Sequence, residues 1–254
     1  MTASAASHTI SAKTYDAWLF DLDGVITDTA SVHGAAWKKT FDNYLEKVAK
    51  RDQVPFKSFE IDPDYFEYVD GKPRYEGVDS FLRSRGIEIP WGTPDDGPQE
   101  QTVCGVGNEK NIFFKEILAA RGADIFDSTV SLIRELRKHG VKVAVVSSSK
   151  NCTTILGVAG LSDLFEVQID GVVAAAEKIA GKPKPDTYVE AAKRLGAAIE
   201  RSVVIEDAIS GVQAGRAGNF GLVLGIARHD EPEVLLENGA DIVVKDMAEV
   251  EISG

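Results

Sequence analysis

The segment Trp18–Asp28, WLFDLDGVITD, constrains the fold more than any other part of the chain. Ala17-Trp18-Leu19-Phe20 is an uninterrupted apolar run, the pattern of a strand covered on both faces, and Gly24 then lets the backbone turn sharply away. Asp21 and Asp23 are two apart in this extended stretch, so their side chains start on the same side of the chain. Two carboxylates thus meet at the carboxyl end of a buried strand. In an open α/β sheet that edge is where ligands bind, and such a pair suits a divalent cation or a nucleophile beside a general acid. A solvated turn is the commoner fate of an isolated Asp-x-Asp pair, so the rest of the chain has to carry the argument.

At 254 residues the chain has room for one large domain or two modest ones, on a scale of ~100 to 200 residues per domain. With 44% hydrophobic and 27% charged residues, no stretch approaches the ~18 uninterrupted apolar residues of a membrane helix, so no membrane association is expected. Met1–Thr14 is rich in Ala, Ser and Thr without a basic start or an apolar middle, which predicts a disordered tail over residues 1–11 instead of a signal peptide, and a cytoplasmic protein. A formal charge of −12 argues against nucleic acid as a partner. It leaves room for a small phosphorylated substrate, because a few local cations in a sheltered pocket outweigh screened distant charges. Cys104 and Cys152 are too few for a disulfide framework and lack metal-ligand spacing, so both read as reduced, structural thiols.

Beyond Asp28 the rhythm changes from strand to helix, with His33, Trp37 and Phe41 recurring at i, i+4 and i+8. From Tyr44 to about Asp124 the chain reads as helical or irregular, punctuated by Pro55, Pro63, Pro73, Pro90, Pro94 and Pro98. From Ser128 strands and helices alternate: a helix to His139, then Val141–Val146, a helix Thr187–Leu195, then Val203–Ile205, a helix Gly211–Ala217, then Gly221–Leu224 and Ile242–Val244. Alternation of this kind implies an α/β fold with a doubly wound parallel sheet. The expected layout is a Rossmann-like core from residues 12–28 plus 126–254, interrupted by a mainly helical cap domain over 29–125.

Three further segments fall at strand ends or in the loops between strands. Ser147-Ser148-Ser149-Lys150-Asn151 follows an apolar strand with hydroxyls, backbone N–H groups and a cation suited to an anion, although a plain helix N-cap uses the same residues. Gly181-Lys182-Pro183-Lys184-Pro185-Asp186 is a proline-stiffened loop that would aim a lysine at a fixed point, or else a solvated basic turn. Glu206-Asp207 is a second acidic pair at a strand end, followed by the Gly- and Ala-rich GVQAG; with the first pair it would make an oxygen-rich Mg²⁺ site.

Taken in order, DLDGVITDT, VVSSSKN, GKPKPD and VIEDAISGVQAG resemble the four motifs of the haloacid dehalogenase superfamily of phosphotransferases, and the resemblance runs from Ala17 to about Val244. An insertion directly after the first motif is that superfamily's helical-cap arrangement. Within it, DLDGVITDTASVH, SSSKN and IEDAISGVQA look most like the β-phosphoglucomutases and their phosphatase relatives. The resemblance implies Asp21 as the nucleophile that becomes an aspartyl-phosphate and Asp23 as the acid and base for the sugar oxygens. It implies Mg²⁺ held by Asp21, the backbone carbonyl of Asp23 and Asp207 with Glu206 nearby, and Ser147 and Lys182 on the transferring phosphoryl group. Thr29 and His33 match positions that orient the acid and base residue. In the cap, Asp70-Gly71-Lys72-Pro73-Arg74 lies where the mutases keep a basic residue for the non-reacting phosphate; Arg74 is the leading candidate, with Gly71 and Lys72 beside it and Ser148, Ser149, Lys150 and Asn151 contributing from the core. The expected reaction is interconversion of β-glucose 1-phosphate and glucose 6-phosphate through the 1,6-bisphosphate by a monomer. Hydrolysis of small sugar phosphates on the same residues is the alternative, and a non-catalytic binding protein is the alternative of another class.

Overall fold

The structure, a computed structural model, describes residues 8–69, 72–228 and 232–254. The chain divides into two units, one formed by the chain through Thr29 together with Ala123–Gly254, the other by Ala30–Gly122. The segments 1–7, 70–71 and 229–231 lie outside the described residues, and with them part of the expected tail and the Asp70-Gly71 dipeptide.

The first unit opens with β1 (His8–Ser11), β2 (Ala17–Phe20) and β3 (Thr27–Asp28). The second unit holds α1 (Ala30–Asp52), the short α2 (Phe66–Tyr68), α3 (Arg74–Ser84) and α4 (Val103–Arg121). The chain then returns through β4 (Asp124–Ile125), α5 (Asp127–Lys138), β5 (Lys142–Val146), α6 (Cys152–Val158), β6 (Val167–Ile169), α7 (Gly171–Glu177) and α8 (Asp186–Leu195). It ends with β7 (Ser202–Glu206), α9 (Ile209–Ala217), β8 (Leu222–Ile226), α10 (Pro232–Glu237), β9 (Ile242–Val244) and β10 (Val250–Ser253). No helix among the described residues is long and apolar enough to cross a membrane.

Six strands form one parallel sheet in the order β6-β5-β2-β7-β8-β9. All four residues of β2 are buried, as its unbroken apolar run requires of a strand covered on both faces. It lies between β5 and β7 with Phe20 level with both Val145 and Ile205. The chain winds outward from β2 in both directions, so the order reverses there, and a doubly wound sheet opens a crevice for ligands at the carboxyl ends flanking such a reversal. On one face Leu19, Val146, Val204 and Ile169 pack against Tyr188, Ala191 and Ala192 of α8 and Phe220. Cys104 and Cys152 are both free and buried.

The boundaries differ from the sequence reading by a few residues. Thr29 belongs to the first unit, and the return comes at Ala123, because β3 and β4 pair antiparallel with Thr27 opposite Ile125 and Asp28 opposite Asp124. His8–Ser11, expected within the tail, is a strand that pairs in parallel with β10 over four registered positions. Four residues with a single apolar side chain, Ile10, carry too little pattern to announce a strand; the partner comes from the far end of the chain.

The helical unit is built round aromatic rings at helical spacing. Trp37 and Phe41 stack at 5.1 Å, Phe41 meets Phe81 at 4.2 Å, and Phe59 meets Phe81 edge-on at 4.9 Å. Val78, Leu82, Val103 and Val106 complete this core. Removing the central ring by Phe41→Ala is expected to cost about 3–5 kcal/mol of unfolding free energy, the usual loss for a fully buried aromatic side chain. Urea denaturation of the two proteins measures it; a loss under about 1 kcal/mol would mean that the ring does not organise this core.

Candidate active site

Strand β2 delivers Asp21 to the sheet edge. The Asp21 N–H still donates to Ile205 O at 3.0 Å, Leu22 turns back into the core, and Asp23 faces the same way as Asp21. The turn then closes through Gly24 N–H to Thr27 O at 2.8 Å and Thr27 N–H to Leu22 O at 2.9 Å. Gly24 is required twice over. Its φ of +85° favours glycine, and a Cβ there would stand 1.8 Å from Asp207 Oδ2. Across the site, Gly211 makes similar room for Glu206, whose Oε1 lies 1.7 Å from where a Cβ would sit.

Lys182 is the hub of the acidic cluster. Its ammonium donates to Asp21 Oδ1, to Val146 O at 3.0 Å and, at 2.5 Å, pairs with Glu206 Oε1. Tyr188 in turn donates to the same Glu206 oxygen at 2.7 Å, and the Ala208 N–H reaches Oε2 at 3.3 Å. Asp21, Glu206 and Asp207 each offer an oxygen within 4.8 Å of the others. Burial pushes the Asp21 carboxyl up to about 8, with Glu206 and Asp23 adding to the rise and Lys182 opposing it. Burial likewise raises Asp207 well above its ordinary value, helped by Glu206 and Asp21. Burial also works against the charge on Lys182, but Asp21 and Glu206 outweigh it and hold the ammonium protonated.

Negative charge therefore exceeds positive in a buried pocket of oxygen donors. Such a donor set fits a hard divalent cation, which would neutralise the surplus. Within this set Glu206 is engaged through both oxygens, by Lys182 and Tyr188 on Oε1 and by the Ala208 N–H on Oε2, and so fixes Lys182. Asp23 stands apart from this set in that its Oδ1 accepts a hydrogen bond from the Thr29 hydroxyl.

The loop after β5 is folded by its own hydroxyls. Ser147 is buried, its N–H donates to Ile169 O at 2.9 Å, and its Oγ accepts from Ser149 N–H at 3.0 Å; Ser149 Oγ accepts from Asn151 N–H at 3.1 Å. Ser148 and Lys150 are exposed and Asn151 is buried. The N-cap of α6 is Asn151, without a side-chain cap bond, so the serines shape the loop and do not cap the helix. Burial, with Asp170, raises the adjacent Cys152 thiol far enough to keep it protonated.

The helical unit holds a cluster of opposite sign. Lys110, buried on α4, lies 2.8 Å from His33 Nδ1 and stands over the rings of Trp37 and Phe114 at 5.0 and 4.8 Å. Arg74 donates to Asn111 Oδ1 at 3.1 Å. Burial drives the His33 imidazole well below its ordinary value, and Lys110 and Arg74 push in the same direction. Lys72 is not part of this cluster: exposed, it donates to Tyr68 O at 2.9 Å and Ser80 Oγ at 2.7 Å. Gly71 lies outside the described residues.

Sequence reasoning missed Lys110, Asn111 and Tyr188. Val106, Lys110 and Phe114 follow one another at i, i+4 and i+8, so a lysine on the apolar face of α4 was the available signal. Tyr188 shares the buried face of α8 with Ala192 and Leu195, where an aromatic residue reads simply as core.

The family profile of haloacid dehalogenase-like hydrolases matches residues 15–219. The chain belongs to this family, with a Rossmann-like core and an inserted helical domain, and it is an enzyme: a phosphoglucomutase or a related phosphatase. Among its relatives, a β-phosphoglucomutase of Mycobacterium bovis is 48% identical over 237 residues, 92% of this chain and 90% of that protein. A β-phosphoglucomutase of Bacillus subtilis is 30% identical over 234 residues, 91% of this chain and 90% of that one. The crystal structure of a β-phosphoglucomutase from Clostridium difficile superposes with a TM-score of 0.71 at 27% identity, covering 93% of both chains.

The neutral, buried His33 has a pH consequence. An imidazole held below its ordinary value of 6.5 resists protonation in the folded state while the unfolded chain takes the proton, so its stabilising contribution is full above pH 6.5 and erodes as pH falls below it. The slope is at most about 1.4 kcal/mol per pH unit for one proton. His33→Gln is expected to lose less stability than the wild type between pH 7.5 and 5.5, read from urea midpoints at each pH. Identical pH dependence in the two proteins would remove His33 from the account.

Proposed function

We propose that this chain is a Mg²⁺-dependent β-phosphoglucomutase acting on small phosphorylated sugars, interconverting β-glucose 1-phosphate and glucose 6-phosphate through glucose 1,6-bisphosphate. One observation carries the choice of mutase over phosphatase: the buried Lys110 and the half-buried Arg74, both acting on His33 in the helical unit. A bisphosphate has a second phosphate to hold, and an arginine beside a buried lysine suits that anion. The 48% identity to a β-phosphoglucomutase along nearly the whole chain supports the same reading.

Asp21 attacks the phosphoryl group in line, and the oxygen it displaces takes the Asp23 proton; in the second step Asp23 removes the proton of the accepting hydroxyl as that oxygen takes the phosphoryl group from Asp21. Thr29, donating to Asp23 Oδ1, orients that carboxyl for both proton transfers. Lys182, fixed by Glu206 and Val146 O, and Ser147 offset the charge on the phosphoryl oxygens. Asp21, Asp207 and the Asp23 carbonyl would hold Mg²⁺, with Glu206 nearby; when bound, the ion supplies positive charge for the buried carboxylates and the phosphoryl group. The remaining loop residues, Ser148, Ser149, Lys150 and Asn151, would contribute to phosphate binding.

The test follows β-glucose 1-phosphate by phosphorus NMR with Mg²⁺ and a trace of glucose 1,6-bisphosphate. Glucose 6-phosphate is expected to form far faster than free phosphate, and Asp21→Asn to abolish it. Phosphate as the main product would make the enzyme a phosphatase, while undiminished turnover by the Asn variant would refute the covalent route. A second prediction concerns the distal phosphate. Arg74→Ala is expected to lower mutase kcat/KM by about 10²- to 10³-fold, as loss of a charge-assisted bidentate contact does, while sparing hydrolysis of a simple monophosphate. Equal, mild losses on both would remove Arg74 from that role.

A further inference from the structure

We infer that Arg228 is a positioning residue for phosphoryl transfer, acting through the Gly24 carbonyl on the turn that carries Asp23. Arg228 lies two residues beyond the end of β8, at the sheet edge where the acidic cluster sits. Its Nε donates to Gly24 O at 3.0 Å, its Nη1 lies 3.3 Å from both Lys245 O and Asp246 Oδ2, and its guanidinium covers the Phe126 ring, with Cζ 3.6 Å from the ring centroid. The side chain is 13% exposed. Phe126 is itself tied to the same turn, since its N–H donates to Ile26 O at 3.0 Å. One guanidinium thus joins the turn after β2, the segment entering α5 and the loop after β9.

The grip on Gly24 matters because of what flanks it. The Gly24 N–H belongs to the peptide plane that carries the Asp23 carbonyl and is held by Thr27 O. The Gly24 carbonyl belongs to the next plane and is held by Arg228. With both planes fixed, the backbone torsions on either side of Gly24 have no freedom left, and the Asp23 main chain is set from its carboxyl side. Glycine lacks a Cβ to restrain it, and its Cα is packed against the Asp207 carboxylate. An external clamp replaces the missing steric restraint. A charged donor on a carbonyl, stacked on an aromatic face, makes a stiffer clamp than a neutral hydrogen bond.

The inference rests on Asp23 acting as acid and base, which a mutase and a phosphatase share, so it does not depend on which of the two the enzyme is. A sugar alkoxide needs the proton that Asp23 supplies, whereas p-nitrophenolate leaves without one. In Arg228→Met, which keeps an unbranched stem, kcat on the sugar phosphate is expected to fall by about 10²-fold, within the range general acid catalysis contributes, with KM changed less than about threefold. Turnover of p-nitrophenyl phosphate by the same variant should fall by less than about fivefold, because its leaving group needs no acid. Arg228→Lys, which restores a cationic donor, is expected to recover part of the loss on the sugar ester only. Equal losses on the two esters, or no loss on either, would overturn the inference, as would a Lys variant no better than Met. If the Met variant does not fold, the Lys variant decides by the same ratio. Wild-type release of phosphate in place of glucose 6-phosphate would end the mutase reading yet leave the ester ratio intact, and wild-type failure on both esters would end both.

Discussion

The candidate active site is organised by the contest between Lys182 and the carboxylates round it. One ammonium faces Asp21 and Glu206, with Asp207 close by, all in a pocket where water screens little. Charges buried in this way are tolerated only when paired and hydrogen-bonded. Lys182 meets that demand with two carboxylates and a main-chain oxygen, and Glu206 meets it with Lys182, Tyr188 and a backbone amide. Asp21 and Asp207 remain under-compensated, which is why burial drives both towards protonation. The cluster is therefore short of positive charge, the condition under which a bound cation would relieve it.

The sheet supplies what this arrangement needs. Neighbouring parallel strands bring Phe20, Val145 and Ile205 to one level, so the residues immediately after them emerge side by side. Gly24 and Gly211 then leave space for the carboxylates of Asp207 and Glu206. The helical unit shows the reverse economy of charge: Lys110 is held over aromatic rings, and the neighbouring imidazole gives up its proton to keep company with it.

Much of this was legible in the chain. An apolar run ending in Asp21-Leu22-Asp23-Gly24 specifies a central strand, a sheet edge and a turn at once, and the later alternation of strands and helices specifies the parallel sheet. Other features depend on long-range partners that no local pattern announces. Arg228 is an ordinary basic residue after a strand until Gly24, 204 positions earlier, is seen beside it. Tyr188 reads as core because it is core, and only the position of Glu206 turns its hydroxyl inward. Arg74 is the leading basic candidate in the sequence with Lys72 beside it, and the structure separates the two: Lys72, ahead of α3, reaches Tyr68 and Ser80, whereas Arg74, the first residue of α3, reaches Asn111. The serine loop looks like a helix cap, but the Ser147 and Ser149 hydroxyls accept from backbone N–H groups of the loop itself, at Ser149 and Asn151, ahead of the first turn of α6.

The short ribbon of β3 and β4 has a consequence of a different kind. Because Asp28 pairs with Asp124, the long insertion leaves and rejoins the core at points only about 5 Å apart, the separation of facing residues in an antiparallel pair. From the standpoint of the sheet, nearly a hundred residues are equivalent to a tight hairpin, and their length places no strain on the strands below. Such a junction behaves as a socket. Helical inserts of different size or recognition surface can be exchanged there through lineage divergence or by grafting, with the phosphoryl-transfer chemistry retained and its clientele changed.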